Sequence, residues 1–360
     1  MNIDNFPKFF LGTNSADGFI NGFTDSAFKK DGWRTYLIKG GPGTGKSSFM
    51  KKIAGVAALS KIDTEIIPCS SDPASLDGVI LKDKKTLIID ATAPHVVEPI
   101  YPGVCEHILN FGRFWDSNTL REHTKEIIQL TDKNKELHRR ASCYLSAMGQ
   151  VMRNNMKIAL LASDIDKTFD YAEKLAKRYL KRQNKQGREW VKYLSAVTPV
   201  GHIFYKDSIE KLCEKKVIVN DETGAVSGMI FSAIRDIALS FGFEIITVRN
   251  NILPSEKIDH ILIPEISLAF CTKNSFNNID SENIRLIHAQ RFMDREILKE
   301  NRNKTAFGQR LMLELMESAV NTLSEAKAVH DLLEAYYIKA MDFKALSQYA
   351  DEFAMKITER

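Results

Sequence analysis

The residues best equipped for chemistry lie near the start of the chain, in the run Gly40, Gly41, Pro42, Gly43, Thr44, Gly45, Lys46, Ser47 and Ser48. Gly40, Gly45, Lys46 and Ser47 fit the spacing G-x-x-x-x-G-K-[ST]. An apolar run at 35–38 precedes them, and Phe49, Met50, Ile53, Val56 and Ala57 follow at helical spacing. Strand, glycine loop and helix in that order can wrap a polyphosphate. Glycines let the backbone come close and take positive φ, so that successive amides point at one anion. The helix start adds free N–H groups and partial positive charge. Lys46 then supplies a mobile ammonium to the outer phosphates, and the Ser47 hydroxyl meets Mg²⁺. The spacing predicts an ATP cradle over 40–48, with Thr44 adding a backbone contact.

Acids complete the pattern. Residues 87–90 form a buried-type strand ending in Asp90, placed to hold Mg²⁺ with Ser47 at a sheet's carboxyl edge. The next residue is Ala91, not the glutamate that polarises water in many hydrolytic sites of this kind. His95 and Glu98 are candidates to orient the attacking group, and each also reads as a plain loop residue. A strand at 64–67 feeds a turn with Ser70, Ser71 and Asp72. Asp72 is a candidate catalytic base for a hydroxyl acceptor, or simply the start of an Asp-Pro turn. His95, Glu98, Cys105, Glu106 and His107 cluster in sequence, but their spacing matches no standard zinc pattern.

The second half echoes the first. Gly224 lies under Gly43, Ile230, Phe231 and Ile234 under Phe49, Met50 and Ile53, and Thr272 under Asp90. Ser227 and Gly228 stand where Lys46 and Ser47 stand, and Asp221 and Glu222 where Gly40 and Gly41 stand. Carboxylates there repel a polyphosphate, so the second copy is expected to be dead. Arg113, Phe114 and Asp116 recur as Arg291, Phe292 and Asp294. An arginine there could stabilise transferred charge, with Arg139 and Arg140 as rivals, but its survival in the dead copy favours an Arg113–Asp116 pair on one helix turn. Each half ends in helical spacing, over 120–135 and 137–182 and again over 307–360, read as helical hairpins that act as lids or pack on their own sheets.

The bulk properties set limits. Lys plus Arg is 50 against 46 for Asp plus Glu, and this near balance argues against a dedicated nucleic-acid binder. The basic residues around 177–188 read as a solvated face and linker. No apolar run approaches the ~18 residues of a membrane helix. Five scattered cysteines without a C-x-x-C pair, and no evident secretory leader, point to a cytoplasmic protein with reduced thiols.

Gly40 to Ser47, taken with the strand ending in Asp90, resembles the P-loop nucleoside triphosphatase superfamily. The duplicated layout, with Cys69, Ser70, Ser71, Asp72 and Pro73 and with Asp90, Ala91, Thr92, Ala93, Pro94 and His95, is similar to a bacterial family annotated only as ATPases or nucleotide kinases. The resemblance implies ATP binding at Gly40 to Ser47 and little else, and with the Mg²⁺ ligands Ser47 and Asp90 read above the expected cofactors are ATP and Mg²⁺. The expected fold is α/β: two tandem P-loop-like domains (1–186 and 187–360), each a mostly parallel sheet with a helical hairpin, joined near 183–187. The expected function is a slow ATPase with one competent site. A small-molecule or nucleotide kinase and a non-hydrolysing nucleotide-gated scaffold are the alternatives.

Overall fold

Short turns decide the topology of both sheets. The computed structural model describes residues 3–22, 32–93, 96–279 and 284–359, so His95 lies outside the described residues. The first half runs β1 (Gly12–Ser15), β2 (Gly18–Asn21), β3 (Arg34–Lys39), α1 (Lys46–Leu59), β4 (Thr64–Pro68), β5 (Leu76–Leu81), β6 (Thr86–Asp90) and β7 (Glu106–Asn110). It continues into α2 (Ser117–Glu122), α3 (Thr124–Ala162) and α4 (Ile165–Tyr179). The second half runs β8 (Arg188–Lys192), β9 (Ser195–Thr198), β10 (Gly201–Phe204), α5 (Asp207–Leu212), β11 (Lys215–Asn220), α6 (Ala225–Ser240), β12 (Glu244–Arg249), β13 (Ile258–Ile263), β14 (Leu268–Lys273) and β15 (Ile284–His288). Two helices end it, α7 (Arg295–Ala340) and α8 (Phe343–Glu359).

Among the described residues the first main sheet has the order β4-β5-β6-β3-β7 and the second β8-β12-β13-β14-β11-β15. Apart from the added β8, one order repeats the other. The pairing senses repeat too. β3 is parallel to β6 and β7, and β5 is antiparallel to β4 and β6. β11 is parallel to β14 and β15, and β13 is antiparallel to β12 and β14. Ile38 pairs with Asp90 as Val219 pairs with Thr272, the correspondence read from the sequence echo. The fold is thus mixed α/β, and each sheet is mixed: β8 is parallel to β12, and one strand of each sheet, β5 or β13, runs against the rest. The β5–β6 turn is too short for the crossover that a parallel neighbour requires, so β5 folds back as a hairpin.

The helical arms depart further from expectation. α3 and α7 pack along each other, and each then delivers its following helix to the opposite half. α4 packs on α6, and α8 packs on α1. The backbone crosses over reciprocally. Asp164 N donates to Phe292 O at 2.8 Å and Asp294 N to Ala162 O at 2.7 Å, while Asp342 N donates to Phe114 O at 2.7 Å and Asp116 N to Ala340 O at 2.9 Å. The reason is length. At ~1.5 Å per residue these arms run roughly 60–70 Å, well past the half that launches them. Hairpins on their own sheets are therefore replaced by an exchange.

The Arg-Phe-x-Asp repeat is the latch of this exchange. The Arg113 guanidinium lies 4.6 Å from the Tyr349 ring of α8, and Arg291 lies 5.3 Å from the Tyr171 ring of α4. Asp116 caps α2 through Asn118 N at 2.9 Å, and Asp294 caps α7 through Glu296 N at 2.8 Å. The expected Arg113–Asp116 pair is corrected: the arginine clamps a helix from the other half, and the aspartate satisfies amides at a helix start.

Between the sheets Phe9, Leu11, Trp33, Leu37 and Ile67 share a core with Trp190, Leu194, Ile218 and Ile246. A buried ion pair, Glu65 with Lys192, joins β4 to β8, and Lys82 Nζ lies 2.7 Å from the same carboxylate. Burial pushes the Glu65 carboxyl up, but Lys192 and Lys82 outweigh it and hold it below the usual range. Among the described residues no helix is long and apolar enough to cross a membrane. The five thiols are free.

On the first half α8 closes a ring of aromatic contacts, with Phe353 packed on Phe49 at 5.2 Å and on Tyr36 at 5.0 Å between centroids. Replacing Phe353 by Ala should cost about 3–5 kcal/mol of stability, read as a lower midpoint in urea unfolding, because the aromatic site cannot collapse around alanine.

Candidate functional site

β3 lies between β6 and β7, and its carboxyl end launches the loop at 40–45 into α1. The turn needs two residues in the left-handed region, and glycine fills both: Gly43 at φ 66° and Gly45 at φ 82°. No side chain caps the start of α1. The Thr44 hydroxyl braces the loop by donating to Gly41 O at 2.8 Å. Lys46, on the first turn of α1, folds back over the loop. Its ammonium donates to Gly40 O at 3.0 Å and Gly41 O at 2.6 Å and lies 3.5 Å from Asp90 Oδ2.

The parallel register puts Asp90 beside Ile38 at the same sheet edge. Thr92 steadies it, with its amide 2.9 Å from Asp90 Oδ1 and its hydroxyl donating to the same oxygen. Ser47 Oγ accepts from Leu76 N at 2.9 Å, which ties the loop to the turn before β5. Ser48 is exposed on α1. Ser47 and Asp90 offer oxygen donors only, a set that fits a hard cation such as Mg²⁺ and not zinc or copper.

The other candidates are placed as follows. Asp72 holds its own turn, accepting from Ala74 N at 3.2 Å and Ser75 Oγ at 3.0 Å, and it lies 3.6 Å from Lys327 Nζ. Glu98 pairs with Lys39 Nζ at 2.5 Å. Glu106 accepts from Ile100 N at 2.7 Å and Tyr101 N at 2.6 Å, while His107 stacks on Tyr36 at 5.2 Å. Arg139 pairs with Glu136 on α3, and Arg140 lies 3.5 Å from Tyr144 Oη.

Sequence reasoning missed the wall that faces the loop. The last turns of α7, from the opposite half, lie across it. A Cβ added to Gly41 would come 2.4 Å from Cε1 of Tyr337, and one on Gly43 would come 2.8 Å from Glu334 O. Gly43 N donates to Glu334 Oε1 at 3.1 Å, and His330 Nε2 lies 3.4 Å from that same oxygen. Farther along the face Lys327 pairs with Asp331 and reaches Asp72. His330, and after it the Gly43 amide and Lys327, outweigh partial burial and hold the Glu334 carboxyl below the usual carboxylate range. A signal was present in the repeat. Counting back from the helix ends Ala340 and Ala162, His330 corresponds to Met152 and Glu334 to Met156.

The second loop resolves the same problem differently. Gly224, at φ 73°, matches Gly43, but α6 already starts at Ala225, where the first copy still has Thr44 and then Gly45 in the loop. Val226 stands in place of Gly45, and a β-branched residue does not take the left-handed turn, so the chain winds into helix early. Asp221 fills the resulting nest. It is 3% exposed, and its carboxylate accepts from Ser227 N at 2.9 Å and Thr223 Oγ1 at 3.0 Å. Lys257 lies against the loop, with Cε 2.0 Å from where a Cβ on Gly224 would sit, and pairs with Asp259 at 3.2 Å. The space beside this loop is about 30 Å³, room for a water and not for a nucleotide.

No protein-family model, no curated protein and no solved structure matches the chain at a significant level.

Removing the Asp221 carboxylate leaves the Ser227 amide of α6 and the Thr223 hydroxyl without this acceptor. Asp221→Ala should cost about 1–2 kcal/mol of stability in urea unfolding and leave ATP titrations unchanged.

Proposed function

We propose that the chain binds Mg·ATP at 40–48 and hydrolyses it slowly in the cytoplasm, using one competent site. On this reading 1–186 and 187–360 are two copies of one P-loop nucleotide-binding domain, the second disarmed. The observation that supports it is the glycine nest itself. Gly43 and Gly45 take left-handed φ directly before an uncapped helix start, with Lys46 and Asp90 converging 3.5 Å apart at its mouth. Such a nest suits phosphate oxygens, because several amides and a helix N-terminus face one point.

Each residue then has a task. The amides at 41–47 hold the phosphates. Lys46 leaves the carbonyls of Gly40 and Gly41 for phosphate oxygens, a stronger charge-assisted contact. Ser47 and Asp90 would hold Mg²⁺, which supplies neutralisation of charge on the transferred phosphoryl group. Thr92 keeps the Asp90 carboxylate oriented. The residue after Asp90 is the buried Ala91, so that place offers no base to the attacking water. A missing general base typically costs 10²–10⁴ in rate, which fits a slow enzyme better than a motor.

Incubation with γ-labelled ATP and a pool of metabolites tests the reading. Label in free phosphate supports it. Label in a metabolite assigns a kinase with Asp72 as base, and label left in ATP assigns a nucleotide-gated scaffold. Lys46→Ala should weaken ATP binding at least ten-fold, roughly the value of a charge-assisted hydrogen bond, in an equilibrium titration. Asp90→Asn should slow hydrolysis and raise the Mg²⁺ concentration it requires while the fold, followed by far-UV circular dichroism, stays unchanged.

A further inference from the structure

The α7 wall carries a group that the proposed chemistry does not use. Glu334 accepts a hydrogen bond from Gly43 N at 3.1 Å, an amide of the loop that would hold phosphate. The contact joins residues 291 positions apart, across the two halves. Glu334 is half-buried and ionised below the usual carboxylate range. A carboxylate oxygen and a phosphate oxygen are the same kind of acceptor. They cannot share one N–H, and side by side they repel.

We propose that Glu334 is a built-in competitor for the phosphate cradle, displaced together with the last turns of α7 when a triphosphate binds. The inference rests on the nucleotide site proposed above and names its regulation.

The repeat argues that the contact is not a by-product of helix packing. The equivalent stretch of α3 brings methionines to the second loop: Met152 lines the small space there, and Met156 packs into the adjoining apolar cluster. That loop already holds its own carboxylate in Asp221. Only the loop built from glycines, with no side chain to fill it, faces an acid and a histidine on the covering helix. Each nest thus has one protein anion, deep and permanent in the second half, and at the rim and removable in the first.

The same geometry says what would move. Tyr337, next on that face, lies against Gly41, and Ile338 lies against Gly43. Beyond Met341 the chain enters α8, whose Phe343 and Leu346 crowd Gly45 and which packs on α1. Ejecting Glu334 therefore acts on the arm and on the helix that carries Lys46. Lys327, paired with Asp72 at 3.6 Å, is the other tie across the mouth.

The test uses the full chain and two probes, Mg·ATP and inorganic tripolyphosphate, titrated into the native protein and into Glu334→Ala and Glu334→Gln. Alanine removes acceptor and charge, and glutamine removes charge alone. Both variants should bind both probes more tightly, by about ten-fold for alanine and less for glutamine, because the competing state is lost. Affinity equal to or weaker than that of the native chain would overturn the proposal. Should the alanine variant fail to fold, the glutamine variant carries the same test. Lys46→Ala separates the two claims. If it leaves binding intact, the cradle assignment fails. If it weakens binding while the Glu334 variants match the native chain, the competitor alone is rejected.

Discussion

A helix that begins inside a protein presents N–H groups that must find an acceptor, and this requirement governs both halves of the chain. Each half sends a central parallel strand into a tight turn and then straight into a helix. At the start of α6 the chain supplies the acceptor from its own loop, as Asp221. At the start of α1 no side chain caps the helix, and the carboxylate that reaches the loop before it, at Gly43 N, comes from the far end of the other half, as Glu334. The two loops share a backbone plan and differ in where the anion comes from. That difference separates a loop covered from the opposite half from one filled by its own side chain.

The exchange of helices makes the far end available. Because α3 and α7 overshoot their own halves, α4 settles on the second half and α8 on the first. The cradle of the first half is thereby walled by the tail of the second, and its helix α1 is packed by α8 through Phe49, Tyr349 and Phe353. A buried ion pair and a shared apolar core hold the sheets together on the other side.

Much of the first half was legible because its signals are local. The loop at 40–48 declares itself through glycines that two left-handed residues require, and the strand ending in Asp90 through its apolar run and terminal acid. The register of the repeat was legible as well: matched apolar faces at Phe49 and Ile230 fixed the alignment that strand pairing shows. The single reversed strand of each sheet was not legible, since a run such as 76–81 carries no mark of direction until the short turn after Leu81 is considered. Arg113 and Asp116 were paired by proximity in sequence, yet one serves an aromatic ring on α8 and the other a helix start.

By itself the sequence determined the glycine loop and its left-handed turn, the different residues at the matching loop of the second half and the mixed α/β character, all of which follow from residue type and short-range spacing. Only the tertiary structure decided which helix covers which loop. Helical spacing tells which side of 307–360 is apolar, but not what it meets, because the partner is chosen by arm length and by backbone hydrogen bonds at Phe114, Ala162, Phe292 and Ala340. Glu334 and Gly43 meet for that reason alone, and no pattern within either segment encodes the contact.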